Sequence, residues 1–119
     1  MPGSEQSSLL VVGLCAAWCG SCREFRPAFE GLAAKRAGAR FVWLDIEDDA
    51  ALAGDIEVEN FPMLAIYRGG VPVHFGPSLP QESVVLRLVD SLAAGGAKRI
   101  DAADAVAELP ARLAAANLA

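Results

Sequence analysis

The chain has 119 residues, 54% of them hydrophobic, enough for one domain to bury a core without staples. Its net charge of −5, with no cluster of Lys and Arg, argues against nucleic acid, which needs a basic footprint, and against an anionic membrane surface. Three cysteines make no disulfide framework and suit a reducing compartment; with no positive segment in Met1 to Gln6, the expected location is cytoplasmic.

In chain order, residues 1–8 are expected to be disordered or extended. Leu9-Leu10-Val11-Val12-Gly13-Leu14-Cys15 is an unbroken apolar run, which predicts a central strand buried on both faces. From Ser21 to Ala37 the period turns helical: Phe25, Phe29, Leu32 and Ala33 share a stripe, with Pro27 as an expected kink and Gly38 as the stop. Phe41 to Ile46 predicts a second buried strand, parallel to the first through a right-handed crossover. Asp48 or Asp49 is placed to cap a short helix over Ala50 to Gly54. Met63 to Tyr67 and Val71 to Phe75 predict an antiparallel hairpin, closed by Gly69-Gly70, which tolerates positive φ. Ser78 or Pro80 then opens a helix through Leu92, with Val84, Val85, Leu88 and Leu92 inward. Beyond Ala93-Ala94-Gly95-Gly96, an Ala-rich segment from Asp101 to Leu118, broken or bent at Pro110, predicts a C-terminal helix. The expected division is 1–8, a domain over 9–94, and a helical extension over 95–119.

The tetrapeptide Cys19-Gly20-Ser21-Cys22 falls where the apolar run gives way to the helical period, at a helix N-terminus. Unpaired N–H groups and the positive end of the macrodipole there favour a thiolate over a thiol. A second thiol three residues on can attack a mixed disulfide formed by the first, so the pair can cycle between dithiol and disulfide. Two other readings of a C-x-x-C remain open at this point: a pair of packed core thiols, and half of a zinc site. The zinc site would need two more ligands, against a single His, His74, and a Cys15 that lies inside a strand.

Ala16-Ala17-Trp18-Cys19-Gly20-Ser21-Cys22-Arg23, Pro27, Asn60-Phe61-Pro62-Met63 and Arg68-Gly69-Gly70-Val71 resemble the thioredoxin family in residue type, order and spacing, over roughly Leu9 to Leu92. The resemblance implies an α/β thioredoxin-like fold: a central mixed sheet flanked by helices. The family carries a further strand and helix before the first strand, which eight residues cannot supply. A sheet of about four strands is therefore expected, with Ile100, Val106, Leu109 and Leu113 docking the extra C-terminal helix where those elements would sit. Pairing with another copy of the chain, or a frayed tail, are the alternatives for that helix.

The implied activity is thiol:disulfide exchange on protein disulfides, with Cys19 as attacking thiolate and Cys22 as buried resolving thiol. No metal and no cofactor are implied beyond a redox-active Cys19–Cys22 disulfide. Trp18, Gly20, Ser21, Phe61, Pro62 and Gly76 would shape the substrate groove, Pro62 as the family's cis-proline whose loop pairs with an extended substrate segment. Protein disulfides, and thioredoxin reductase or another thiol reductant, are the implied partners, and cell redox homeostasis and electron transport the implied setting. Cys15, where the family has an aromatic residue, reads as a packed core thiol, a regulatory disulfide partner being the sharper alternative. His74 reads as a surface residue.

Two positions depart from the family. Gly13 replaces a buried Asp and Trp43 a Lys, so Cys22 must lose its proton to water or another group. Asp45, Glu47, Asp48 and Asp49 read as a solvated acidic turn. These departures keep a second class of function open, a non-catalytic binding or assembly module, and a third, a metal or iron–sulfur protein using the C-x-x-C across a dimer. Ser21 in place of the usual proline leaves an extra N–H donor and a hydroxyl beside the sulfurs, and no carboxylate opposes the thiolate. Both differences stabilise the dithiol form. The expected reduction potential is therefore less negative than that of a reducing thioredoxin; equilibration against glutathione measures it, and a value at or below the standard thioredoxin's would refute the expectation.

Overall fold

The opening apolar run forms β1, Leu9–Cys15, in the computed structural model, which describes residues 9–16, 19–36, 38–54, 56, 62–79, 81–96 and 98–116. Residues 1–8, expected to be extended or disordered, lie outside that set. Six of the seven β1 residues are buried. β2, Ala39–Asp45, pairs with β1 in parallel, as the crossover requires, from Leu9 opposite Ala39 to Cys15 opposite Asp45. β3, Met63–Arg68, lies antiparallel on the other side of β1, and β4, Val71–Pro77, follows through the Gly69-Gly70 turn. Both turn glycines have positive φ, 59° and 82°, the conformation a tight hairpin demands. The sheet has four strands in the order β2-β1-β3-β4.

Strand alternation divides the core in two. On one face Leu9, Val11, Leu64 and Ile66 pack under α1, Gly20–Lys35, and α3, Glu82–Ser91, through Phe25, Phe29, Leu32, Val85 and Val89. On the other, Val12, Leu14, Val42, Leu44, Met63, Ala65 and Tyr67 are covered by Val106, Leu109 and Leu113. Those three belong to α4, Asp104–Ala107, and α5, Leu109–Ala115. The C-terminal segment is thus docked on the sheet through Val106, Leu109 and Leu113, three of the four apolar residues expected of it, while Ile100 stands outside that cluster. The hydroxyl of Tyr67 donates to the carbonyl of Val106 at 2.6 Å, and burial pushes the phenol pKa up. Arg112 adds a polar tie: its Nε donates to the Leu52 carbonyl at 2.7 Å, on the short helix α2, Ala50–Ala53. Ile100, half-buried, contributes its backbone N–H to the Pro72 carbonyl at 3.0 Å.

Several elements differ from expectation for identifiable reasons. β2 is an edge strand, not a buried one, so Val42 and Leu44 are buried while Phe41 and Trp43 are only partly covered. Pro110 stands in the first turn of α5, where its missing N–H costs nothing, and it opens a helix. Pro27 lies exposed inside α1 without dividing it, Ala33 is exposed, and the helix ends at Arg36, whose N–H reaches the Leu32 carbonyl, before Gly38. α3 starts at Glu82 with Gln81 as cap, and its inward stripe is Val85, Val89 and Leu92; Val84 and Leu88 are half-buried. A π-helical turn, Leu92–Gly96, continues it. Asp49 caps α2 by position, but its carboxylate accepts the Asp45 N–H, at 3.0 Å.

Leu109 and Leu113 are both 0% exposed. Leu109→Ala or Leu113→Ala should each cost about 2–5 kcal/mol in urea unfolding. Leu79→Ala, at a position 60% exposed, should stay within roughly 0.5 kcal/mol of the parent.

Candidate redox site

The parity of β1 places the sulfurs. Leu9 and Val11 point to the α1 face, so two residues and four residues further on Gly13 and Cys15 point there as well. Helical spacing puts Cys22 on the buried stripe of α1, ahead of Phe25, Phe29 and Leu32. The end of the strand and the first turn of the helix therefore bring Cys15 and Cys22 together, Cα to Cα 5.7 Å, within the span of a disulfide. The structure bonds them to each other. Cys22 is thus bonded to Cys15 and not to Cys19 in this structure, and Cys15 is not the bare packed thiol expected of it. Both bonded residues are buried, at 0% and 1% exposure, and Cys19 is the free cysteine, half-exposed at the surface. Sequence reasoning weighed Cys15 as a disulfide partner and set it second; the strand parity was the signal that favoured it.

Cys19 is the N-cap of α1, in extended backbone conformation, with its N–H donating to the Ala16 carbonyl at 3.0 Å. Its carbonyl accepts the Arg23 N–H at 3.2 Å, which starts the helix. The N–H groups of Gly20, Ser21 and Cys22 thus have no acceptor within the helix, and the first turn carries no acidic residue to compete with an anion there. Gly20 and Ser21 are exposed beside Cys19. Pro62 is buried immediately before β3, whose first residue, Met63, pairs with Leu14, so it sits across from the end of β1 that carries Cys15. Its carbonyl accepts the Ser78 N–H at 2.9 Å. Gly76 is half-exposed on β4 opposite Leu64, one residue farther along β3 than Met63. Trp18 and Phe61 lie outside the described residues. His74, expected at the surface, is half-buried near Gly76; its Nε2 has no hydrogen-bond partner among the described residues, and burial holds its pKa below the usual imidazole range.

On the β2 side, a cavity of about 360 Å³ opens onto Cys22, lined by Ala16, Arg23, Arg26, Trp43, Asp45, Asp48 and Asp49. The acidic turn is therefore adjacent to the buried sulfur. Part of its charge is used locally: Asp45 Oδ1 accepts the N–H groups of Glu47 and Asp48 at 2.8 and 2.9 Å. Beneath the cavity, Gly13 and Trp43 are register partners. A Cβ on Gly13 would meet both Phe29 and Trp43 at 3.2 Å. The indole of Trp43 lies 5.4 Å from the ring of Phe29 and 6.0 Å from that of Phe25, and the Arg26 guanidinium sits 5.5 Å over it. Aromatic packing fills this space. Among the described residues, no cluster of three or more His, Cys, Asp or Glu could hold a metal ion, and no helix is long and apolar enough to cross a membrane.

A mixed sheet whose central strand leads into a C-x-x-C at a helix N-terminus defines a thioredoxin-like α/β domain. The family model for thioredoxin matches residues 4–85, and the chain belongs to the thioredoxin family. It is 34% identical to Thioredoxin H2-2 of Oryza sativa subsp. japonica over 70 residues, 59% of this chain and 52% of that protein. With Thioredoxin-2 of Saccharomyces cerevisiae it shares 37% over 65 residues, 55% of this chain and 62% of that one. The chain thus spans about half to three-fifths of the length of these relatives. The X-ray structure of Fasciola hepatica thioredoxin superposes with a TM-score of 0.63 at 24% identity, over 72% of this chain and 82% of that one, a likeness of fold.

Gly13→Asp should be strongly destabilising, because the carboxylate enters a space already closed by two rings. In the double variant Gly13→Asp/Trp43→Lys, the ring is removed and a countercharge supplied. A double-mutant cycle in urea should return a favourable coupling of at least about 1 kcal/mol, and strict additivity would refute the steric and electrostatic link between the two positions.

Proposed function

We propose that the chain is a thiol:disulfide oxidoreductase acting on protein disulfides. The observation that carries the reading is the contrast between a half-exposed cap cysteine, Cys19, and a buried cysteine, Cys22, one helical turn on, in a chain of the thioredoxin family. The thiolate of Cys19 attacks one sulfur of the substrate disulfide and releases the other as a thiolate. Cys22 then attacks Cys19 Sγ, the substrate leaves as a second thiol, and the two electrons it gained come from the thiols of Cys19 and Cys22 as they are oxidised to a disulfide. Cys19 stands at the cap of α1, beside the first-turn N–H groups that have no acceptor within the helix. Water in the cavity between Cys22 and the acidic turn takes the proton of Cys22, the task of the carboxylate that Gly13 cannot supply.

Pro62 and Gly76 lie on the β3 and β4 side of the cysteines, where an extended substrate would pair, and Trp18, Gly20, Ser21 and Phe61 complete that groove in our reading. Protein disulfides are the substrates, and thioredoxin reductase or another thiol reductant returns the dithiol, in a reducing compartment such as the cytoplasm, as part of redox homeostasis and electron transport.

Dithiothreitol-driven reduction of a disulfide-bonded protein tests the reading. Turnover should be lost in Cys19→Ser, and Cys22→Ser should accumulate a mixed disulfide at Cys19. No rate above dithiothreitol alone would refute it and favour a binding or assembly module.

A further inference from the structure

Turnover through Cys19 and Cys22 leaves Cys15 unused, yet Cys15 is the residue bonded to Cys22. We propose that Cys15 is a third redox cysteine of the site: it takes Cys22 out of the Cys19–Cys22 disulfide by internal exchange and returns Cys19 to a thiol. The proposal rests on the oxidoreductase reading for the origin of the first disulfide. In the exchange, the Cys15 thiolate attacks Cys22 Sγ. The Cys22–Cys19 bond breaks, and Cys19 leaves with the electron pair and accepts the proton that Cys15 gave up. One disulfide replaces another, so no external oxidant or reductant is consumed.

Cys22 is within reach of both partners and can bond only one. Cys19, at the cap of α1, precedes it by three residues, the C-x-x-C spacing of a redox pair. Cys15 is reached across the strand–helix junction, at 5.7 Å between Cα atoms. The partners differ in exposure. Cys15 closes a bond in which both residues are at most 1% exposed, whereas Cys19 is half-exposed at the helix cap. Exchange to Cys15 therefore moves the oxidised bond from the surface into the core. A dissolved thiol reaches neither buried sulfur directly, and Cys19 is the nucleophile placed to reopen the bond by attacking Cys22. The oxidised protein would rest with its disulfide stored and its surface cysteine reduced, and Cys19 would be needed for re-reduction as well as for attack.

The full chain, oxidised with diamide and alkylated, is digested with chymotrypsin, which cuts after Trp18 and so separates Cys15 from Cys19 and Cys22. The expected product is the peptide ending at Trp18 cross-linked to the peptide beginning at Cys19, with the alkyl label on Cys19. Uncross-linked peptides would overturn the proposal. In Cys19→Ser, which cannot form the first disulfide, both remaining thiols should survive a brief oxidation that consumes two thiols of the parent. Loss of both thiols at the parent's rate would equally overturn it. Separate peptides from a protein that turns over substrate would sink only the role of Cys15; a cross-linked product without turnover would sink the oxidoreductase reading and, with it, the origin proposed for the first disulfide.

Discussion

β1 has no side that faces water. Hydrogen-bonded neighbours flank it on both edges and helices cover both of its faces, so each side chain must enter one of two cores, and the choice alternates residue by residue. This one constraint sends Leu9, Val11, Gly13 and Cys15 toward α1, and Leu10, Val12 and Leu14 toward α4 and α5. A one-residue slip would exchange the two sets, place Cys15 on the wrong face and empty both cores. The chemistry of the site is anchored to the same alternation that holds the sheet.

The α1 face shows how a family site is rebuilt with other materials. Gly13 and Trp43 occupy register-paired positions, so removing a side chain from one strand makes the room into which the neighbouring strand's indole fits. The rings of Phe25, Phe29, Phe41 and Trp43 stand 5.4–6.0 Å apart in edge-on and tilted arrangements, a packed cluster under the cysteines. Exchanging a buried charged pair for packed rings is commonly neutral or favourable to stability. Its chemical consequence is that polarity reaches Cys22 from the side, through the cavity under the acidic turn, rather than from below.

The opposite face depends on the C-terminal segment. Val106, Leu109 and Leu113 are as buried as the sheet residues beneath them, and polar links to backbone carbonyls accompany them. Tyr67 satisfies its hydroxyl on α4, and Arg112 ties α5 to α2, so helices too short to be stable alone are held by tertiary contacts. The central strand is thereby sealed on the side away from the cysteines.

Local pattern determined much of this protein. The run Leu9 to Cys15, the stripe Phe25-Phe29-Leu32, the Gly69-Gly70 hairpin and the C-x-x-C at a helix start are all properties of neighbouring residues, and each was legible because hydrophobic period and turn chemistry act over a few positions. The apolar residues of the C-terminal helices were legible for the same reason. The partial exposure of β2 was decided by strand order, which no local signal carries, and the first residue of α3 by how its stripe meets the sheet. Pro110, read from the sequence as a break or a bend, instead stands at the start of a helix. The pairing of Cys22 was decided in the same way. Its proximity to Cys19 is written in the tetrapeptide, whereas its proximity to Cys15 exists only once strand and helix pack, because disulfide reach is a distance in space and not along the chain.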